Sequence, residues 1–171
     1  CSWWTVEHYN QTLEQAVEYA EQMDVALVAA AGNDSRDDDD PGYNHWPSEW
    51  PYANIVAVAA TNHTDNIAYF SNYGPTSVDV GAPGEDILSC SWGGGYESMS
   101  GTSMATPHVA GVLGLMLSIR PELTVSELKQ YLFTTVDPIP DLQGITVTGG
   151  RVNAHRAMQA ISGVPLAPVA L

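Results

Sequence analysis

The sequence predicts an α/β fold, a parallel sheet flanked by helices, on the strength of three observations. Apolar residues Leu13, Ala16, Val17, Ala20 and Met23 follow helical spacing, and the unbroken apolar run 25–31 comes directly after them. A helix feeding into a strand that lacks polar alternation is half of a βαβ unit, with that strand buried on both faces. A second such run occupies residues 55–60. Residues 103–119 are apolar nearly all round (Val109, Val112, Leu113, Leu115, Met116, Leu117), the pattern of a central helix enclosed on every side.

The remaining elements follow in chain order. Thr12-Leu13-Glu14-Gln15 reads as a capping box opening the first helix. Residues 34–42 form a polar, acidic loop after the first strand. Shorter strands are expected near 78–80, 87–91 and 96–99. Pro107 falls in about the first turn of the apolar helix, where a missing N–H costs least. Thr124-Val125-Ser126-Glu127 is a second capping box, and it opens an amphipathic helix through Leu128, Tyr131 and Leu132. A further helix is expected after Asn153. No repeat or linker-like stretch divides the chain, so it reads as one unit.

Composition narrows the function. The 171 residues can hold one core. Twenty acidic against five basic residues give a formal charge of −15, which argues against nucleic acid or anionic membrane as a partner, since both demand a basic surface. Self-repulsion of that size destabilises a compact state. It is relieved in molar salt, where the Debye length shrinks to about 3 Å. The single lysine, Lys129, favours a saline habitat over recruitment of calcium by the acidic surface. Two cysteines, Cys1 and Cys90, make no disulfide framework and read as buried free thiols. No apolar stretch reaches the roughly 20 residues of a membrane span, and no signal peptide is visible.

The chemistry concentrates in Gly101-Thr102-Ser103-Met104-Ala105-Thr106-Pro107-His108-Val109-Ala110-Gly111. Ser103 stands at a helix start, where unpaired N–H groups and the positive dipole end favour developing negative charge. Taken alone, such a serine is more simply a helix cap. The whole string, however, resembles the nucleophile motif of the subtilisin-like serine proteases, the subtilases. Val28-Ala29-Ala30-Ala31-Gly32-Asn33 resembles that family's strand ending in the oxyanion-hole asparagine. Trp46-Pro47-Ser48, Asn54 to Ala60, Phe70-Ser71-Asn72-Tyr73-Gly74, Gly81-Ala82-Pro83-Gly84 and Gly149 to Ala154 follow the family's order, so the likeness spans about residues 1–161. It implies a three-layer subtilisin-like architecture and peptide-bond hydrolysis outside the cell.

A subtilase runs Asp, then His, then Ser. Here no Asp-(Ser/Thr)-Gly or His-Gly-Thr run occurs. His8 and His155 read as solvent-facing on helices, His45 and His63 lie in polar loops, and His108 carries a structural role about one turn past Ser103. The expectation is that residues 1–171 are the C-terminal part of a single peptidase catalytic domain, with the N-terminal half that carries the Asp and His as its partner. The chain alone is then inactive. A peptide-binding module that keeps the cleft without catalysis is the alternative. An esterase of the α/β-hydrolase kind fails, because Met104-Ala105 follows Ser103 where Gly-x-Ser-x-Gly is needed.

The resemblance implies Ser103 as nucleophile, with the Asn33 amide and the Ser103 N–H as oxyanion donors. Judged locally, Asn33 could equally be a residue tolerating a strand-end turn. Ser2, Trp3 and Trp4 on one side and Ala30, Ala31 and Gly32 on the other are implied to bind a peptide or protein substrate as an added strand. Trp4 replaces the family's usual glycine. No cofactor is required for the chemistry, while structural calcium is an implied option. Asp37-Asp38-Asp39-Asp40, lacking the spacing of a calcium loop, reads first as a solvated acidic loop.

Overall fold

A computed structural model of the chain describes residues 1–2, 10–42 and 44–163. The elements are α1 (Gln11–Gln22), β1 (Leu27–Ala30), β2 (Ile55–Thr61), β3 (Val80–Pro83), β4 (Ile87–Cys90), β5 (Tyr96–Met99), α2 (Thr102–Ile119), α3 (Val125–Thr134), β6 (Asp137–Pro138), a 3-10 turn at Pro140–Leu142, β7 (Gly150–Arg151) and α4 (Ala154–Ser162). Five strands form one sheet in the order β1-β2-β3-β7-β6, parallel except for the β6–β7 pair. β4 and β5 make a separate antiparallel hairpin. The expected α/β architecture is therefore present.

Strand periodicity sorts the core into layers. Val28, Val56, Val58, Ala60, Val80 and Ala82 point to one face and meet Val109, Val112, Leu113 and Met116 of α2, with Leu128, Leu132, Ala157 and Ile161 of α3 and α4 behind them. Ala29 and Ile55 point to the other face, where Val17 of α1 and Trp50 cover them. Every residue of β2 is buried, as its lack of alternation predicts.

The caps behave unequally. Thr124 and Glu127 close the capping box reciprocally, as read. The first helix starts earlier than its Thr12 signal: Asn10 is the N-cap and its side chain accepts from the Leu13 N–H. Of that helix's apolar stripe only Val17 is buried, and Met23 is 57% exposed. The third strand begins at Val80 rather than 78, because Val78 is buried in the approach to it, its N–H bonded to the Gly74 carbonyl. The short β6 and β7, with no apolar run to announce them, escape sequence reading. Cys1 is half-buried and Cys90 exposed, so neither is the buried thiol expected, and both are free.

Glycine fixes where α2 enters. The Gly101 N–H donates to the Gly84 carbonyl at 2.8 Å, just past the end of β3. A methyl on Gly84 would lie 2.6 Å from Ala60 Cβ and 2.9 Å from the Gly101 carbonyl oxygen. Only glycine lets the two backbones approach this closely, and that brings the N-terminus of α2 to the carboxyl ends of β1, β2 and β3. Ligand sites of open parallel sheets form at that edge.

Candidate active site

β1 delivers Asn33 and α2 delivers Ser103 to this edge. Thr102, fully buried, joins them: its N–H and its hydroxyl both donate to Asn33 Oδ1, at 2.8 and 3.0 Å. The same hydroxyl accepts from the Gly32 N–H at 3.2 Å. With Oδ1 doubly held, the orientation of the amide is determined and Nδ2 faces the other way. A methyl built on Gly101 would stand 3.6 Å from Asn33 Nδ2 and 3.7 Å from the Ser103 nitrogen, so the two donors border one small space. Ser103 lies in the first turn of α2, where an N–H has no intrahelical carbonyl to bond.

The Ser103 hydroxyl donates to the Ser2 carbonyl at 2.8 Å, and the Ser2 hydroxyl returns a bond to the Ser103 carbonyl at 3.1 Å. Beyond Ser103 lies a cavity of about 340 Å³ walled by Met104, Pro107, His108 and the β4 residues Ile87, Leu88 and Ser89. His108 Nδ1 sits 2.9 Å from the Met104 carbonyl, a contact within α2. His155 is exposed, as expected, His63 is exposed in its loop, and His8 lies outside the described residues.

The chain matches the family model described as the Subtilase family over residues 2–158. It belongs to the subtilases. It is 43% identical over 150 residues to thermitase of Thermoactinomyces vulgaris, covering 88% of this chain and 50% of thermitase. It is 39% identical over 150 residues to subtilisin Savinase of Lederbergia lenta, covering 86% of this chain and 51% of Savinase. Among solved structures, a protease from Pseudoalteromonas arctica PAMC 21717 superposes with a TM-score of 0.81 at 29% identity, covering 94% of this chain and 50% of that one. The prenylagaramide maturation protease PagA gives 0.79 at 29% identity, with 96% and 61% covered. This subtilase chain thus spans about half the length of the curated relatives named.

The expected substrate-binding residues fall into three groups. Trp3 and Trp4 lie outside the described residues. Ser2 is exposed beside Ser103. Ala30, Ala31 and Gly32 are buried. Ala31 and Gly32 have internal partners for both N–H and C=O: Ala31 with Val58 and Asn72, Gly32 with Thr102 and Asn72. These main-chain groups are thus engaged within the chain.

His45 lies in a loop, as expected, but its side chain is enclosed. It is fully buried, with Nδ1 3.3 Å from Asp38 Oδ1 and Nε2 3.4 Å from Asp34 Oδ2. A methyl on Gly32 would sit 2.4 Å from its Cε1, and Gly32 has φ +121°, so glycine is required there on both counts. The aspartate run also divides: Asp38 is buried, Asp39 accepts from Thr76, and Asp40 accepts from the Gly42 N–H.

The calcium option meets a group that suits a structural cation. Asp38, His45 and Glu49 each offer a ligand atom, all within 4.8 Å of one another. Asp38 Oδ2 is buried with no hydrogen-bond partner. Burial pushes Glu49 up to about 8, against a bond from the His45 N–H, and Asp38 and Asp39 add repulsion. Burial also raises Asp38. Carboxylates crowded in this way are eased by a cation. Such an ion would be structural, since acyl transfer to serine requires a nucleophile, a base and oxyanion donors.

Proposed function

We propose that residues 1–171 are the C-terminal part of a serine endopeptidase domain that cleaves peptide bonds through an acyl-enzyme on Ser103. Ser103 Oγ attacks the carbonyl carbon. Asn33 Nδ2 and the Ser103 N–H receive the oxyanion of the tetrahedral intermediate, and an imidazole supplied from outside this sequence takes the hydroxyl proton. Collapse of the intermediate breaks the peptide C–N bond, and the imidazolium protonates the departing amine. The observation that carries this reading is the double hold of Thr102 on Asn33 Oδ1, which leaves Nδ2 beside the same space as the Ser103 N–H. Donors fixed before the reaction need no reorganisation as charge develops, and they are worth most in a site sheltered from water.

By the same reading the isolated chain is inactive. Among the described residues the Ser103 hydroxyl donates to a backbone carbonyl, which is no base. His45 is buried among Asp34, Asp38 and Asn72, away from that task. Ser2, Trp3, Trp4, Ala30, Ala31 and Gly32 are the residues proposed to bind the peptide substrate, and the enzyme works extracellularly. A calcium ion bound by Asp38 and Glu49 beside His45 stiffens the loop after Asn33.

A fluorophosphonate probe tests the proposal on two proteins: the 171-residue chain, and the same chain fused behind a segment carrying a relative's Asp and His motifs. Ser103 is expected to be labelled in the fusion alone, and Ser103→Ala to abolish labelling. Equal labelling of the isolated chain would place a base within these residues. An unlabelled but folded fusion would refute the peptidase reading.

A further inference from the structure

The centre of the string Phe70-Ser71-Asn72-Tyr73-Gly74 lies against the back of the Asn33 turn. Asn72 is fully buried. Its N–H donates to the Gly32 carbonyl at 3.0 Å, and its Nδ2 donates to the Ala31 carbonyl at 3.2 Å. Its Oδ1 accepts from the Asp34 N–H at 2.8 Å and from the Arg36 N–H at 3.3 Å. These four bonds grip the main chain on both sides of Asn33 and leave Asn33 itself untouched. Flanking segments strengthen the grip: the Ser35 N–H donates to the Phe70 carbonyl at 2.9 Å, and the Tyr73 N–H to the Arg36 carbonyl at 2.9 Å.

The clamp is itself held from behind. Asn72 Nδ2 lies 2.8 Å from Asp38 Oδ1 and 2.6 Å from His45 Nδ1. Gly32 leaves room for this approach, since a methyl there would fall 2.6 Å from Asn72 Nδ2. Two separate devices therefore act on one residue. Thr102 fixes the Asn33 side chain, and Asn72 fixes the backbone that carries it. A side-chain donor keeps its aim only if its Cα is also fixed, and an error of an ångström at a reacting centre is costly.

We propose that Asn72 is a positioning residue for the oxyanion hole, acting through Asn33 by clamping the backbone at residues 31, 32, 34 and 36. This rests on the proposed role of Asn33 as an oxyanion donor. Asn72 touches no reacting atom, so its removal should slow acylation without weakening peptide binding. Its effect should also vanish when Asn33 has already been removed.

The test is a double-mutant cycle in the fusion protein, measuring kcat and KM on a peptide ester and the rate of Ser103 labelling. Asn72→Ala is expected to lower kcat by about 10- to 100-fold with KM held within about twofold, a typical cost of losing a supporting partner. In an Asn33→Ala background the same change should alter kcat by less than about threefold. Asn72→Ser keeps a hydroxyl in the pocket and adds no charge beside Asp38 Oδ1, so it should be no more damaging than Asn72→Ala. A cooperative melt identifies the variants that fold. A folded variant with the wild-type rate, an effect repeated in full in the Asn33→Ala background, or failure of both variants to fold would each overturn the clamp. Loss of labelling in the unsubstituted fusion would instead sink the peptidase reading beneath it.

Discussion

The two faces of α2 are built from the same kinds of residue and have opposite surroundings. Val109, Leu113 and Met116 face the sheet at 4% exposure or less, whereas Leu115, Leu117 and Ile119 are 51%, 37% and 49% exposed. An apolar groove of about 350 Å³, lined by Val25, Ala26, Leu113, Gly114, Leu117 and Leu123, runs beside the bare face. The sequence of α2 is suited to enclosure on every side, and the described residues enclose one. The buried face accounts for why the chain folds into an α/β layer at all. The bare face matches a proposed function in which further chain supplies the base.

The largest expected effect lies on the covered face. Met116→Ala should cost about 2–5 kcal/mol, read as a lower midpoint in urea unfolding, because it opens a cavity where the surrounding packing relaxes only in part. A smaller cost would mean that α2 packs loosely on the sheet. Leu117→Ala sharpens the contrast. It should cost the isolated chain about 1 kcal/mol, since Leu117 is only partly exposed, and about 1–2 kcal/mol more in the fusion once that face is covered. Equal effects in both proteins would remove the distinction between the faces.

Smaller effects probe the supports around the site. Calcium at about a hundredfold its dissociation constant should stabilise the fusion by about 2.7 kcal/mol, and Asp38→Asn or Glu49→Gln should abolish that gain. A melting midpoint indifferent to calcium would leave the Asp38 oxygen without a cation. Thr124→Ala, which removes one half of the capping box of α3, should cost only about 1 kcal/mol in either protein, the usual worth of a helix cap.

What the sequence revealed follows a physical rule. Short-range patterns were legible: the unbroken apolar runs of β1 and β2, the Thr124 box, and the helix start behind Gly101. The first helix opens at Asn10 rather than at the Thr12 box, because the Asn10 side chain accepts from the Leu13 N–H. Apolar character marked burial more faithfully than strand, which is why Val78 is in the core but outside β3. The nucleophile and the strand-end asparagine were visible as strings. Their supports were hidden, because the burial of His45 and the grip of Asn72 arise from contacts between segments 27 and 41 residues apart. His45 sits among polar neighbours in sequence and is packed against Gly32 in space. No periodicity encodes such a contact.

The most direct measurement is a crystal structure of the fusion after reaction with a fluorophosphonate. The account predicts phosphorus bonded to Ser103 Oγ, with its oxygen about 2.7–3.1 Å from both Asn33 Nδ2 and the Ser103 nitrogen. A phosphonyl oxygen turned away from Asn33, or an adduct on any other side chain, would contradict it.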